Sequence, residues 1–261
     1  MTSFVRVLGR GGLDFLRGLG KRGIFLFNAI HYSVTPPYKW RLAWRQVWFI
    51  GYMSLGVIVM TGGFTGMVLA LQLYYTLKKF GAESMIGPGV ASSLVRELGP
   101  VFTALMVTAR GGSAITAELG IMRISEQIDS YYVMALNPYK YVVVPNFVAA
   151  IVCFPLLTAV FNTVGIWGGY MVAVKLLGVG SGVYFGEMQT FVSARDIWLG
   201  VYKSLSFAVI VSWVSCYEGF YVGADSSGFG AKAVSRATTA SVVTASVSIL
   251  VWDYTLGSFF V

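Results

Sequence analysis

Charged residues are scarce in this sequence. Asp, Glu, Lys and Arg make up 11% of the 261 residues, hydrophobic residues make up 56%, and the mean hydropathy is +0.72. Residues 46–77 and 141–174 contain no charge at all. Both runs exceed the roughly 20 residues that a helix needs to cross a bilayer. The composition therefore excludes a soluble globular class and predicts one all-α membrane domain.

Residues used in metal sites and hydrolysis are also few. The chain has one histidine, His31, and two cysteines, Cys153 and Cys216, which lie in separate apolar runs. Two isolated cysteines are typical of small core residues rather than of a disulfide framework or a metal site. We therefore expect no metal site, and we interpret His31 as a side chain at the membrane interface.

Nucleotide-binding and hydrolase motifs are missing too. A phosphate-binding loop requires GxxxxGK[ST]; Gly223 and Gly228 have the glycine spacing, but Phe229 stands where the lysine must be. The sequence contains no GxSxG and no HExxH. We expect a chain that is not an enzyme and holds no cofactor itself. Energy for any pumping must then come from a partner protein or from an ion gradient.

Basic residues concentrate at the amino terminus. Residues 1–45 hold eight Lys or Arg and one Asp, so they supply seven of the eight net positive charges. One stripe of charges recurs at spacings of three and four: Arg6, Arg10, Asp14, Arg17 and Lys21. This pattern predicts an amphipathic helix lying flat in the headgroup region. We divide the chain into this helix with its elbow (1–45) and a transmembrane domain (46–261). A nucleic-acid-binding arm would need a soluble body, so we expect no nucleic acid.

Five apolar segments of spanning length follow the elbow: 46–77, 88–109, 141–174, 197–217 and 237–260. With this topology, thirteen Lys and Arg fall on the amino-terminal side and four on the opposite side. The positive-inside rule makes the amino-terminal side cytoplasmic, and five spans leave the carboxyl terminus outside. Lys203, near the start of the fourth span, is expected to extend its amine to the interface.

Residues 95–129 combine charge with membrane depth. Arg96 and Glu97 precede Pro100 inside the second span. Charges at membrane depth are costly, about 2.5–3.5 kcal/mol each on insertion scales, and usually face a cavity or a partner. The pair is therefore a candidate functional site, with a water-facing turn between two helices as the alternative.

The residues after Arg110 predict a short amphipathic helix over 113–130. Its apolar residues recur at spacings of four and three, at Ala117, Ile121, Ile124 and Ile128, and polar residues fall mainly elsewhere: Glu118, Arg123, Glu126 and Gln127. Lying between two spans on the cytoplasmic side, it is shaped to receive a partner protein, or it is a plain interfacial helix.

The first span ends in an apolar helical face that includes Leu69, Leu77 and Phe80. This face suits an acyl chain, and it equally suits ordinary lipid contact or a helix interface. Gly62 and Gly66 form a GxxxG, which either permits close helix contact or is incidental in a glycine-rich chain.

Several of these segments resemble a known family. RELGP (96–100), ARGGSAITAELGIMRISEQID (109–129) and MALNP (134–138) are similar to the signature of the MlaE permease family, the membrane subunits of Mce-type lipid ABC transporters. GIWGG with Tyr170 (165–170) and GFGAKAVSRATT (228–239) extend the likeness over most of the chain from about residue 61. Ala240 departs from the basic residue that many relatives carry, which leaves an ion pair made there by relatives without its basic partner.

The resemblance implies a permease that moves phospholipids between the inner (cytoplasmic) membrane of a Gram-negative-type cell and a periplasmic carrier, maintaining outer-membrane lipid asymmetry. It implies these partners: a second copy of the chain, ABC ATPase subunits that bind ATP and Mg²⁺, a STAS-domain accessory subunit in some systems, and a periplasmic Mce-domain hexamer. The carboxyl terminus is then periplasmic.

The resemblance also implies roles for individual residues. Glu118, Arg123, Glu126 and Gln127 would couple the permease to the ATPase, because the helix between the second and third spans docks in a groove of that subunit. Arg96 and Glu97 would meet a lipid headgroup near the dimer interface, with Leu69, Leu77 and Phe80 on the acyl chains. The main alternative is an ion-coupled secondary transporter that uses Glu97 and Asp253 as proton sites; a structural membrane scaffold is a third.

Overall fold

The computed structural model describes residues 2–36, 39–223 and 230–260. These ranges contain helices and no strand, and the predicted all-α class is confirmed. The helices are α1 (Thr2–Val34), α2 (Trp40–Phe80), α3 (Glu83–Ile124), α4 (Gln127–Val133), α5 (Tyr139–Leu176), α6 (Ser181–Phe191), α7 (Ala194–Phe220) and α8 (Ala231–Phe260).

Among the described residues, five helices are long and apolar enough to cross a membrane: α2, α3, α5, α7 and α8. This number agrees with the five predicted spans. Five such helices make the chain a multi-pass membrane protein. A helix can cross lipid because it satisfies its own backbone hydrogen bonds. Local signals fix the connections, since Gly81 turns with φ +66° after α2 and Ser193 with Asp196 forms a capping box that starts α7.

The predicted single helix over 113–130 is wrong in its extent. Residues 113–124 are the last turns of α3, which is continuous with the second span. The helix ends at Ile124, the chain turns at Glu126 with φ +58°, and a separate helix, α4, begins at Gln127. The predicted apolar face is also divided, because Ile128 is fully buried while Ile121 is 58% exposed. The spacing of the apolar residues correctly predicted a helical conformation, but tertiary packing decided which side of each helix is buried.

Helix α1 is fixed to the body through its second half. Phe25 is fully buried among the rings of Tyr139, Tyr217 and Phe220, and Arg22 forms an ion pair with Glu218 at 2.9 Å. On its other side α1 exposes large apolar side chains: Ile24, Phe27 and Ile30. The predicted charge stripe at Arg6, Arg10 and Asp14 lies outside the described side chains. The interfacial position of α1 and the division at residue 45 stay predictions.

The core centres on close packing between α2 and α5. Gly62 and Gly66 of α2 are both buried against α5. A Cβ atom on Gly66 would overlap the carbonyl group of Gly165, and one on Gly62 would lie 3.0 Å from the carbonyl oxygen of Phe161. The Gly62–Gly66 pair is therefore a true close-contact motif, which lets the two backbones approach.

We predict that Gly66→Ala destabilises the protein by about 1–3 kcal/mol, because the added methyl group would force α2 and α5 apart. The measurement is the thermal unfolding midpoint of the detergent-solubilised protein. Gly56→Ala is the matched control, since a Cβ atom at Gly56 meets nothing within 4 Å. Equal midpoints for the two variants would contradict the assigned contact.

Candidate functional site

Arg96 and Glu97 lie in a widened turn of α3. Residues Leu94–Leu98 form a π-helical segment, and Pro100 follows in the next turn. Proline has no N–H, so it cannot bond the carbonyl group four or five residues back, and the helix widens there. Such turns are frequent at functional sites. The widening presents two successive charged side chains to neighbouring helices.

Arg96 pairs with the start of α7 rather than with Glu97. Its Nε donates to Asp196 Oδ1 at 2.8 Å. Asp196 is buried, and its other oxygen accepts from the backbone N–H and hydroxyl of Ser193, both at 3.0 Å. One carboxylate thus caps α7 and holds the guanidinium of Arg96, whose side chain stays 53% exposed.

Glu97 pairs with Lys203 of α7. The Lys203 Nζ lies 2.5 Å from Glu97 Oε2 and 2.9 Å from Asp253 Oδ1 of α8, although the contact with Asp253 lacks hydrogen-bond geometry. Lys203 is fully buried. The expectation that its amine reaches the interface is therefore wrong, because two carboxylates neutralise it inside the protein. A buried charge that is paired in this way is the form that a membrane protein tolerates.

These charges border one cleft of about 710 Å³. Its walls come from α3 and α7, with Gly257 of α8 at one edge, and they carry two cations and three hydroxyl groups: Arg96, Arg195, Ser92, Ser93 and Ser193. Glu97 and Asp196 add carboxylates to the same walls. Guanidinium groups match phosphate geometry, so the cleft offers groups of both signs to a charged or zwitterionic headgroup.

The predicted acyl-chain residues do not join this cleft within one chain. Leu69 and Leu77 are partly buried against the core of the protein, and Phe80 is 79% exposed at the end of α2. None of the three lines the cleft that holds Arg96 and Glu97. Their proposed contact with lipid stays a prediction.

The predicted coupling residues divide into two paired and two exposed side chains. Glu118 Oε1 lies 3.7 Å from Nη2 of Arg45 in the elbow. Arg123 Nη1 donates to Asp129 Oδ1 at 2.6 Å. Glu126 and Gln127 are exposed in the turn between α3 and α4. These contacts fix the shape of the loop, and the coupling role of the four residues stays a prediction.

Sequence reasoning missed an apolar surface at the same end, which we call the tip. Its side chains are all exposed, and Val133 reaches 89%: Ile121, Ile124, Tyr132, Val133 and Met134. Partial burial raises the pKa of the Tyr132 hydroxyl above its usual value, so this side chain is neutral near pH 7. The sequence pattern placed the two isoleucines on the apolar face of one amphipathic helix and did not predict that they are exposed at the end of α3. Large exposed apolar side chains at one end of the molecule make it a candidate interaction surface.

We predict that Lys203→Met destabilises the protein more than Glu97→Gln does. The first change leaves two carboxylates together without their cation, which costs less than the roughly 3 kcal/mol of a fully buried pair because the Glu97 side chain is 49% exposed. The second leaves Lys203 paired with Asp253. The check is the unfolding midpoint of each variant and of the triple variant Glu97→Gln/Lys203→Met/Asp253→Asn. The triple variant should recover most of the loss, and no recovery would mean that packing rather than charge balance sets the effect.

Comparison with known proteins agrees with this architecture. The family profile described as Permease MlaE matches residues 43–259. The chain is 41% identical to the intermembrane phospholipid transport system permease protein MlaE of Haemophilus influenzae, over 98% of this chain and 97% of that protein. It is 40% identical to a probable ABC transporter permease protein of Rickettsia felis, over 100% and 98%.

A more distant relative is the chloroplastic protein TRIGALACTOSYLDIACYLGLYCEROL 1 of Arabidopsis thaliana, at 34% identity over 85% of this chain and 62% of that protein. The profile match covers all five spans. On these grounds the chain belongs to the MlaE permease family.

Proposed function

We propose that this protein is the permease subunit of an ABC transporter that moves phospholipids between the inner membrane and a periplasmic Mce-domain carrier, and so maintains outer-membrane lipid asymmetry. The observation that carries the proposal is the 710 Å³ cleft between α3 and α7, where Arg96 and Glu97 are exposed at membrane depth. Arg96 and Arg195 suit the phosphate group, and Glu97 suits the amine of a zwitterionic headgroup. The 41% identity to a phospholipid transport permease supports the same substrate class.

The side of the membrane follows from charge. Helix α1, the tip and the start of α8 lie on one side, which carries most of the Lys and Arg, so this side is cytoplasmic and the carboxyl terminus is periplasmic. The cleft is reached from the other side, because Ser193 and Arg195 stand at the start of α7 and Gly257 near the end of α8. The cleft then opens toward the periplasmic carrier.

An ATPase supplies the energy and binds the ATP and Mg²⁺. The tip is the surface that fits this partner, because Val133 is 89% exposed on the cytoplasmic side at the end of α4, the helix that starts at the turn of Glu126 and Gln127. An apolar centre with a polar rim is the usual composition of a protein interface. The four predicted coupling residues form this rim.

A second copy of the chain completes the membrane unit. Only 17% of the apolar stretch of α8 is buried inside one chain, against 67% of that of α5. The uncovered face of α8 carries Val243, Val247, Leu250 and Tyr254 at helical spacing. A copy packed on this face would cover the cleft beside Gly257. We include a STAS-domain subunit and a periplasmic Mce-domain hexamer in the proposed assembly.

We predict that Val133→Arg reduces the amount of ATPase that copurifies with the permease by about tenfold, because a buried unpaired charge at an interface costs several kcal/mol. The side chain is exposed, so folding is unaffected. Val183→Arg is the matched control: it changes the same residue type at an exposed position on α6, on the opposite side. Full recovery of ATPase with Val133→Arg would place the ATPase elsewhere.

We predict that Arg96→Gln lowers phospholipid transfer by the assembled transporter in proteoliposomes by about tenfold, because a charge-assisted hydrogen bond contributes about 1.5–3 kcal/mol. Asp196 keeps its two bonds from Ser193, so the start of α7 is retained. Lys79→Gln is the control, since it removes a cation from the same side outside the cleft. Equal transfer by both variants would remove the cleft from the transport path.

The alternative is an ion-coupled transporter. One observation favours it: both proposed proton sites, Glu97 and Asp253, contact the same lysine. This arrangement also balances the charge of Lys203 without any transport of protons, so we rank the alternative second. Transfer by the permease alone, driven by a proton gradient and without ATP, would establish it in place of the ATPase-driven reaction.

A further inference from the structure

A second cavity lies on the amino-terminal side, away from the cleft. It has a volume of about 400 Å³ and lies where α1, the start of α2 and the start of α5 meet. Two cations border it, Lys39 and Lys140, and its apolar wall includes Trp40, Ala43, Val144 and Val148. We call it the elbow cavity. None of the predicted site residues lines it.

The two lysines of the elbow cavity carry uncompensated charge. Lys39 Nζ lies 5.1 Å from the ring centre of Tyr141, and Lys140 Nζ lies 5.9 Å from that of Tyr32. Lys140 also donates to the carbonyl oxygen of Pro36 at 2.9 Å. Within the described ranges neither lysine takes part in an ion pair. Rings and a carbonyl group orient the amines but leave both charges without an anion.

A further cavity of about 340 Å³, which we call the groove, lies between α2 and α5 and is lined by Trp44, Val47, Leu156 and Val160 among other apolar residues. Trp44 and Val47 follow Trp40 and Ala43 by four residues, so they lie one turn along the same face of α2. Trp44 and Leu156 are exposed at 75% and 62%, which opens the groove to lipid.

The charge, position and shape of the elbow cavity and the groove together indicate which ligand fits them. Lys39 and Lys140 stand at the beginnings of two spans, among tryptophans that favour the headgroup level. A ligand that places an anion at this level and an acyl chain along the groove satisfies both parts. A soluble anion would use only the lysines, and an uncharged lipid only the groove.

We propose that the elbow cavity is a binding site for one anionic phospholipid of the leaflet on the amino-terminal side. Its phosphate lies between Lys39 and Lys140, and one acyl chain follows the groove past Trp44 and Leu156. The bound lipid joins α1 to the starts of α2 and α5. This site is separate from the cleft at Arg96 and does not depend on the transport proposal.

The test uses the purified full-length permease in nanodiscs of phosphatidylcholine with a minor share of phosphatidylglycerol. After transfer to detergent, native mass spectrometry counts the phosphatidylglycerol retained per chain. We expect about one molecule on the wild type and about tenfold less on Lys39→Ala/Lys140→Ala, because each lysine attracts anionic lipid. The matched control is Lys21→Ala/Arg41→Ala, which removes two exposed cations from the same side outside the cavity.

A second variant separates the apolar wall of the elbow cavity from its charge. Val148→Trp keeps both lysines and fills the apolar wall, so it should lower retention as strongly as the lysine pair does. If the control variant loses as much phosphatidylglycerol as the lysine variant does, or if Val148→Trp retains all of it, the lipid is held by general surface attraction. Either result would overturn the site. Displacement by soluble glycerol phosphate would show a phosphate site without lipid and would also overturn it. This experiment does not measure phospholipid transfer, so its outcome neither supports nor contradicts the role of the cleft in transport.

Discussion

The ion pairs around Lys203 are the constraint on which the site depends. One buried amine joins Glu97 of α3 and Asp253 of α8 to α7, three helices that are far apart in the sequence. A lone charge at this depth would be expelled toward water, so the cation requires its two carboxylates and they require the cation. Because Lys203 takes Glu97, the neighbouring Arg96 is free to pair with Asp196 at the mouth of the cleft. The pairing of Glu97 and that of its neighbour Arg96 therefore involve different residues of α7.

Small residues allow α2 and α5 to pack closely, whereas α8 is mostly uncovered. Gly66 packs backbone to backbone against Gly165, so α2 and α5 form a tight pair. In contrast, α8 contacts the body along one face at Ser241, Ala245 and Ile249 and leaves its opposite face bare. In lipid an apolar face carries no penalty by itself, so the bare face alone identifies no partner. The bare face of α8 lies beside the cleft, so a second copy packed on this face would close the cleft.

The two ends of the molecule carry different chemistry for lipid. At one end, cations and carboxylates face a wide polar cleft. At the other end, two lysines that form no ion pair with any described residue border the elbow cavity, and the apolar groove lies next along α2. A polar cleft that offers both signs suits a headgroup that must enter and leave, whereas a groove flanked by tryptophan suits a lipid that stays. Under the two proposals, lipid is a substrate at one end of the molecule and a structural partner at the other.

Hydrophobicity alone predicted the membrane class and the five spans, because a run of about twenty predominantly apolar residues is the length that crosses a bilayer as a helix. The family motifs predicted that residues 96–129 are the functional region, and that role stays a prediction. Contact partners were beyond the sequence: Arg96 and Glu97 are adjacent, yet their partners are Asp196, Lys203 and Asp253. The periodicity near residue 120 was that of a helix, but it did not reveal that α3 continues to Ile124 or that Ile121 faces outward. Period depends on local backbone geometry, whereas burial and ion pairing depend on which distant helices pack alongside, and only the tertiary structure decides that.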